Sequence, residues 1–394
     1  MNILRIEKNQ EILQNLKAIL NRRELSQRDF ADLIGKKESE ISRWFSGKFC
    51  ISNANILKIE SILQEPISSS STYRHTNSTI RIGIIGTGSI AERFVTEMSH
   101  VSNGKIAGVY NPDKDQLDGF CNRHNIEKRC SSPQELIALS EAIYIASPMY
   151  THFEYAKLCL SNGKHVLCEL PFTNTKEEAK ELYRFANAGN CILMSALKTA
   201  YCPSFIKMNE IARSGIIGEI SDITATVTTL LPNTTTSLFY NERLLENATY
   251  PLLAIFKQLG TGYKKIRIFT KIKQDKIDFT HICMEYKDSI ATCKIGVGVK
   301  SEGSLIISGT KGYIYVPAPW WKTEYFEIRF ENQNDNKKYF FPYESSGLRY
   351  EIQEFINSIC RKSTINEFVT KEENLKILEI QNKIMNHGKQ EASI

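Results

Sequence analysis

The chain has 394 residues, 42% apolar and 24% charged, with a formal net charge of +6. That length accommodates two or three domains with sizeable cores, and the balance is that of an ordinary globular protein. No run of about 18 apolar residues occurs, which argues against a membrane span, and Met1 to Lys8 lacks the apolar stretch of a secretory signal. Ten cysteines are scattered without a Cys-x-x-Cys pair. Framework disulfides and structural zinc are therefore disfavoured, no metal is expected, and a reducing cytoplasm fits best.

Helical spacing governs the first 65 residues. Ile12, Leu16, Ile19 and Leu20 form one apolar stripe; Phe30, Leu33 and Ile34 form a second; Ile41 and Phe45 a third; Ile56, Leu57, Ile59 and Leu63 a fourth. Ser26 suits the N-cap of a helix carrying Gln27 to Leu33, and Gly35 supplies a turn. Lys37 to Phe45 is then a further helix with Ile41 and Phe45 inward, ended by Gly47. Over residues 10 to 64 this pattern resembles the phage-repressor/Cro-type helix-turn-helix. The resemblance implies a DNA-binding domain over 1–66, with Gln27 on the phosphate backbone. It implies base reading by Lys37, Glu38, Ser39 and Arg43. Arg pairs bidentately with guanine, Glu accepts from cytosine and Ser suits either. Residues 1 to 79 hold 12 Lys or Arg against 9 Asp or Glu, which is compatible with nucleic acid. The competing reading is a plain helical bundle with solvated charges. One such module seldom binds tightly alone, so a dimer is implied.

The stretch 67–79, rich in Ser and Thr, reads as a linker. From 80 to 200 short apolar strands alternate with helical patterns: Ile80 to Ile85, Lys105 to Tyr110, Ala142 to Ala146, His165 to Cys168 and Cys191 to Met194. That is the pattern of a doubly wound parallel sheet. The strand Ile80 to Ile85 runs into Gly86-Thr87-Gly88-Ser89-Ile90-Ala91, a dinucleotide-binding turn. Its first glycine allows a tight turn, and its second lets backbone approach a pyrophosphate at a helix N-terminus. The second strand ends at Asn111 rather than at an acidic residue that would grip a ribose. The cofactor is accordingly NAD or NADP. Asp113 is a weaker ribose candidate, or simply a turn cap. After about 218 the runs Glu219 to Leu231, Lys265 to Ile272, Asp278 to Tyr286 and Glu324 to Phe330 alternate. They predict an α+β domain over 201–394 with a large antiparallel sheet, closed by helices near 347–361 and 371–386.

Two further stretches, Tyr144 to His152 and Gly163 to Phe172, make the part after the linker resemble the glucose–fructose oxidoreductase/inositol dehydrogenase family (Gfo/Idh/MocA). The resemblance implies a Rossmann domain followed by an α+β domain, NAD(P) binding, and oxidoreduction of a sugar or polyol derivative. It implies that Ser147 and Pro148 lie beneath the nicotinamide, with His152 close by. The family motif Glu-Lys-Pro reads Glu169-Leu170-Pro171 here. Leu170 thus stands where an ammonium would assist proton transfer, and an isobutyl group donates nothing. Lys198, at a later strand end, is the alternative proton handler. The family's Asp and His/Tyr pair corresponds to Glu246 and Tyr250, one helical turn apart if a helix has begun there. The glycines that usually precede it are missing, and Tyr250 reads equally as a packed aromatic before a turn proline. Trp320 and Trp321 read as a buried pair in a loop, His165 as packing beside the sheet, and Cys168 as inert.

These signals imply two functions. One is a DNA-binding regulator whose oxidoreductase module senses cofactor or a sugar- or polyol-type ligand with weak or no turnover; it rests on the helix-turn-helix and on Leu170. The other is an active NAD(P)-dependent dehydrogenase fused to a DNA-binding domain, with Glu169, Glu246, Tyr250 and Lys198 as catalytic candidates. Both imply a homo-oligomer, a dimer or tetramer through the C-terminal sheet, and no membrane.

Overall fold

The computed structural model describes residues 3–391 except 24, 47–50, 52, 64–66, 68–78, 233–235, 274–275 and 342–344. The chain separates into two compact units, Met1–Ser78 and Thr79–Ile394. Among the described residues no helix is long and apolar enough to cross a membrane. No group of His, Cys, Asp and Glu among them is arranged to hold a metal.

The first unit is built from α1 (Ile3–Arg22), α2 (Gln27–Ile34), α3 (Glu38–Phe45) and α4 (Asn53–Leu63). Ser26 caps α2 through a reciprocal box with Asp29. Two N–H groups that would otherwise lack partners are thereby satisfied. Gly35 ends α2 at φ +65°, a left-handed conformation that glycine adopts without strain. The core joins Ile12, Leu16, Phe30, Ile34, Ile41, Ile59 and Leu63. Leu33, expected inward, is exposed instead, and Trp44 is buried on α3 where the sequence pattern assigned Phe45; Phe45 is half-buried. The helix α3 begins at Glu38, with Lys37 as its N-cap, and its C-cap is Ser46. Gly47 and most of the expected linker, 68–78, lie outside the described residues. Ile67, read as the first linker residue, is buried in this core.

The second unit begins with alternating elements: β1 (Ile80–Ile85), α5 (Ser89–Met98), β2 (Gly104–Tyr110), α6 (Lys114–Arg123), β3 (Arg129–Cys130), α7 (Pro133–Leu139), β4 (Ala142–Ile145), α8 (His152–Ser161), β5 (His165–Cys168), α9 (Lys176–Ala188) and β6 (Leu193–Ser195). The strands pair in parallel in the order β3-β2-β1-β4-β5-β6. Helices on both faces explain why β1 and β4 are nearly continuous apolar runs. The strand order reverses between β1 and β4, which opens a crevice at their carboxyl ends.

Then follow α10 (Pro203–Arg213), β7 (Ile220–Thr229), α11 (Ser237–Leu259), β8 (Lys265–Lys273), β9 (Lys276–Glu285), β10 (Ile290–Val297), β11 (Leu305–Gly309), β12 (Tyr313–Val316), β13 (Tyr325–Arg329), β14 (Lys337–Phe340), α12 (Leu348–Arg361) and α13 (Lys371–Glu391). The eight strands lie in the order β14-β13-β12-β11-β7-β10-β9-β8. The sheet is mixed rather than antiparallel throughout, because β10 runs parallel to β7. That pairing is possible because α11 and the β8–β9 hairpin separate the two strands in sequence. The last two helices return to the first sheet. There α12 packs on α5, where Arg349 pairs with the buried Glu97 at 2.6 Å. Burial alone would lift that carboxyl, but the guanidinium and nearby serines hold it at about 2. The helix α13 lies against α9, α11 and β8, and Gln381 donates to the Leu245 carbonyl at 2.7 Å.

Candidate functional site

The crevice at the switch point begins with Gly86. Its φ is +105°, and a Cβ there would lie 2.4 Å from the Ala146 carbonyl oxygen. Only glycine lets β1 and β4 close on each other at that point. At Gly88 a Cβ would meet nothing within 4 Å, so the backbone faces open space. Gly88 caps α5 without a side-chain hydrogen bond, which leaves the first N–H groups of the helix directed outward. Thr87 is buried, Ser89 is exposed and Ile90 is half-buried beside it. An open, glycine-lined turn over helix N–H donors fits a dinucleotide pyrophosphate. Asn111 donates to the Thr87 hydroxyl and accepts from the Asp113 N–H, so it braces the turn. Asp113 caps α6 through the Gln116 N–H and is a structural residue.

His152 ties two loops of this crevice together. Its Nε2 lies 2.8 Å from the Ser147 carbonyl oxygen and its Nδ1 lies 2.9 Å from that of Pro171. Burial holds the imidazole below its ordinary pKa. The Ser147 and Thr151 hydroxyls are 2.7 Å apart, and Thr151 donates to the Pro148 carbonyl. Cys168 is buried, and burial pushes its thiol up. His165 accepts from the Ile192 N–H at 2.9 Å, which fixes it beside the sheet.

At the end of β5 stands Glu169. The Tyr144 hydroxyl donates to its Oε1 at 2.5 Å, and the Leu170 N–H to its Oε2 at 3.3 Å. Burial raises this carboxyl to about 7; both donors act against that rise, and the facing Glu246 adds to it. Leu170 is half-buried against the core, so its side chain offers no proton. Lys198 opens the 3-10 turn Lys198–Tyr201 and is 8% exposed. Its ammonium favours the charged forms of Glu169 and of Glu351. No hydrogen bond or ion pair engages it among the described residues.

Glu351 was not singled out from the sequence. It lies on α12, fully buried, and among the described residues neither carboxyl oxygen has a hydrogen-bond partner. Burial and the facing Glu169 push it well above its ordinary value. Its signal was positional: it falls on the stripe Leu348, Ile352, Phe355 and Ile359, the buried face of the helix.

Glu246 and Tyr250 both lie on α11, which begins nine residues before Glu246. The Tyr250 hydroxyl donates to Glu246 Oε1 at 3.3 Å, and Arg243 Nη1 lies 2.7 Å from Oε2. Pro251 is inside the helix rather than in a turn, so Tyr250 is held on the helix face. Its ring stacks on Trp321 at 6.3 Å. Trp321 is half-buried, unlike the fully buried Trp320, whose Nε1 donates to the Thr226 carbonyl at 3.0 Å. Thr199 donates to the Trp321 carbonyl at 2.8 Å, which joins the Lys198 turn to the Trp320–Lys322 turn. Tyr144, Glu169, Lys198, Glu246, Tyr250 and Glu351 therefore form one cluster.

Tyr144→Phe removes a donor that favours the Glu169 carboxylate, so that carboxyl is expected to rise further above about 7. The acidic limb of any pH–rate profile that reports Glu169 then moves to higher pH; an unmoved limb would mean another group sets it. Because the folded protein holds this proton more tightly than the unfolded chain, Glu169 favours the fold below pH 4.5. That contribution is lost as pH rises through about 7.

In the first unit, Gln27, Lys37, Glu38, Ser39 and Arg43 are all exposed. Ile41 and Trp44 anchor the opposite face of α3. The side chains expected to face DNA are thus exposed at the start of α2 and along α3 from its N-cap.

Residues 16–69 match the family model for a helix-turn-helix. Residues 80–197 match that of the Gfo/Idh/MocA oxidoreductase family, NAD-binding Rossmann fold. The scyllo-inositol 2-dehydrogenase (NADP(+)) IolU of Bacillus subtilis is 36% identical over 133 residues, 33% of this chain and 40% of that protein. The trans-1,2-dihydrobenzene-1,2-diol dehydrogenase of Mus musculus is 27% identical over 257 residues, 62% of this chain and 77% of that protein. Among solved structures, a levoglucosan dehydrogenase in complex with NADH and levoglucosan aligns with a TM-score of 0.70 at 16% identity. It covers 79% of this chain and 98% of that one. A 3-ketoreductase from Actinomadura kijaniata, in complex with TDP-benzene and NADP, aligns with a TM-score of 0.67 at 19% identity, over 78% of this chain and 97% of that one. One chain thus joins a segment that matches the helix-turn-helix model to a segment that matches the NAD-binding Rossmann model of the Gfo/Idh/MocA oxidoreductases.

Proposed function

We propose that the chain binds DNA through its first unit and, in its second, binds NAD(P) and carries out oxidoreduction at a CH–OH centre of a sugar- or polyol-type ligand. The observation that carries the reading is the Lys198 ammonium, nine-tenths buried and without a partner among the described residues, beside the Glu169 carboxyl. A bound nicotinamide supplies the hydride acceptor or donor. Gly86, Thr87, Gly88, Ser89 and Ile90 hold the pyrophosphate, Asn111 faces the ribose, and Ser147, Pro148 and His152 shape the nicotinamide side. Lys198 donates to the reacting oxygen and stabilises its developing charge. Glu169, lifted to about 7, accepts or returns the proton near neutrality. Glu246 and Tyr250 orient the ligand from α11. Glu351 is a positioning residue: its buried carboxyl, pushed well above its ordinary value, faces Lys198 and Glu169 without touching ligand.

The regulatory reading, ligand sensing with weak turnover, is favoured by one observation, the apolar Leu170 where the family resemblance expects a lysine. Titration of the purified chain with NADH and NADPH by fluorescence, followed by a turnover screen, separates the two. Turnover supports Lys198 as the proton handler. Saturable cofactor binding without turnover, together with a rate gained in Leu170→Lys, would replace it with the sensor.

For DNA, a dimer making about six phosphate contacts is expected to lose log affinity against log salt with a slope near −5. Gln27→Ala is expected to weaken all sequences alike, and Arg43→Ala to relax specificity at one position. Band-shift titrations over a salt series measure both; affinity independent of salt would contradict a DNA role. Self-association through the eight-stranded sheet is supported by the exposed Phe269, Ile290 and Phe340 on its strands. Free thiols at all described cysteines accord with a reducing, cytoplasmic setting.

A further inference from the structure

We infer that the crevice prefers NAD to NADP, and that Pro112 and Asp113 set the preference: past the end of β2 the chain supplies no guanidinium for a 2′-phosphate and places a carboxylate there instead. The inference rests on the dinucleotide reading above and decides which dinucleotide the crevice takes.

The Gly86 N–H donates to the Tyr110 carbonyl at 2.9 Å, so the end of β2 is tied to the first glycine of the turn. Residues just past that strand meet the adenosine ribose when a pyrophosphate sits on such a turn. The two dinucleotides differ only at the 2′ position of this ribose. A 2′-hydroxyl can donate, and a carboxylate suits it. A 2′-phosphate near neutrality carries roughly −1.5 to −2 charge and three strong acceptor oxygens. It calls for cations or free N–H groups.

Residues 111–116 meet the first need and not the second. Pro112, exposed at the tip, has neither an N–H nor a charge. The Asn111 amide is held at both ends: it donates to the Thr87 hydroxyl and accepts from the Asp113 N–H at 2.9 Å. The Asp113 carboxylate takes the start of α6. Its Oδ1 accepts from the Gln116 N–H at 3.0 Å and its Oδ2 from Gln116 Nε2 at 2.8 Å. A helix N-terminus otherwise attracts an anion, and here a fixed one already occupies it. Asp115 adds a second acidic side chain in the first turn. Lys114, the one cation of the segment, is flanked by both and offset by them. Asp113 is exposed, and each of its oxygens keeps a lone pair beyond these bonds, so it can still accept from a ribose hydroxyl.

Fluorescence titration of the purified full chain with NADH and with NADPH, at one ionic strength, tests this. NADH is expected to bind about tenfold or more tighter than NADPH. Asp113→Asn keeps a residue that caps a helix and removes only the charge. It is expected to narrow the gap, chiefly by tightening NADPH. Pro112→Arg supplies the missing fork of donors and is expected to tighten NADPH further. NADPH binding as tight as NADH or tighter in the unmodified chain would overturn the inference, and so would a ratio that neither variant moves. Saturable binding of neither nucleotide would overturn the dinucleotide reading and this inference with it, whereas equal binding of both overturns the inference alone. Because binding is read without turnover, failure of the redox reading shows separately.

Discussion

Lys198→Met is expected to lower kcat by about 10²- to 10⁴-fold and to leave the affinity for NAD(P)H unchanged. Met keeps the length and the apolar stem of the buried side chain and removes only the ammonium. That ammonium is the partnerless donor at the end of the cleft, and it holds down the Glu169 carboxyl. Without it, the reacting oxygen loses its donor and Glu169 rises further, so the acidic limb of the pH–rate profile moves up. Steady-state kinetics across pH, with cofactor affinity measured apart, checks both effects. A rate loss accompanied by an equal loss of cofactor affinity would assign Lys198 to cofactor binding. An unchanged rate would return the role to an element not in this cluster.

Trp320→Ala is expected to destabilise the second unit by about 3–5 kcal/mol. Trp320 is 1% exposed and among the largest fully buried side chains of the chain. It packs near Phe205 at 6.4 Å between ring centres, and its indole N–H satisfies the Thr226 carbonyl in β7. Truncation leaves a cavity and an unsatisfied buried acceptor together, and the two penalties add. The turn Trp320–Lys322 also presents Trp321 to Tyr250, so ligand affinity falls with stability. Denaturant unfolding followed by circular dichroism reads the first effect. Trp321→Phe, which retains a ring against Tyr250, serves as the comparison and is expected to change stability by less than about 1.5 kcal/mol. Equal losses in the two variants would show that the turn is not anchored by Trp320.

Much of the architecture was legible because local rules and burial agree there. The runs Ile80 to Ile85 and His165 to Cys168 form strands with those bounds, since both faces of a parallel sheet are covered. Ser26 and Gly35 punctuate α2 as their chemistry dictates. The order of the second sheet was not legible, because alternation marks a strand and its buried face but not its partner. The parallel β7–β10 pair joins strands separated by a helix and a hairpin, and no local signal encodes it. In the site, Glu169 and Lys198 were recognisable as chemistry at strand ends and Glu246 and Tyr250 as a pair one helical turn apart, and the fold brings them together, with the pair inside α11 rather than at its start. Glu351 was not, because a charge on a helix reads as solvated until its tertiary surroundings are known. Leu33 and Phe45 departed from their expected inward sides for a related reason: a helical stripe fixes an angle, while the neighbouring helices decide which side chain fills it.

The account turns on the cofactor crevice and the Lys198 cluster acting as one redox site. The most direct test is the initial rate of nicotinamide absorbance change with the purified full chain, over a panel of sugars, polyols, sugar acids and sugar phosphates with NAD and with NADP. The account predicts turnover with at least one member and its loss in Lys198→Met. Saturable cofactor binding with no turnover on any member would contradict it.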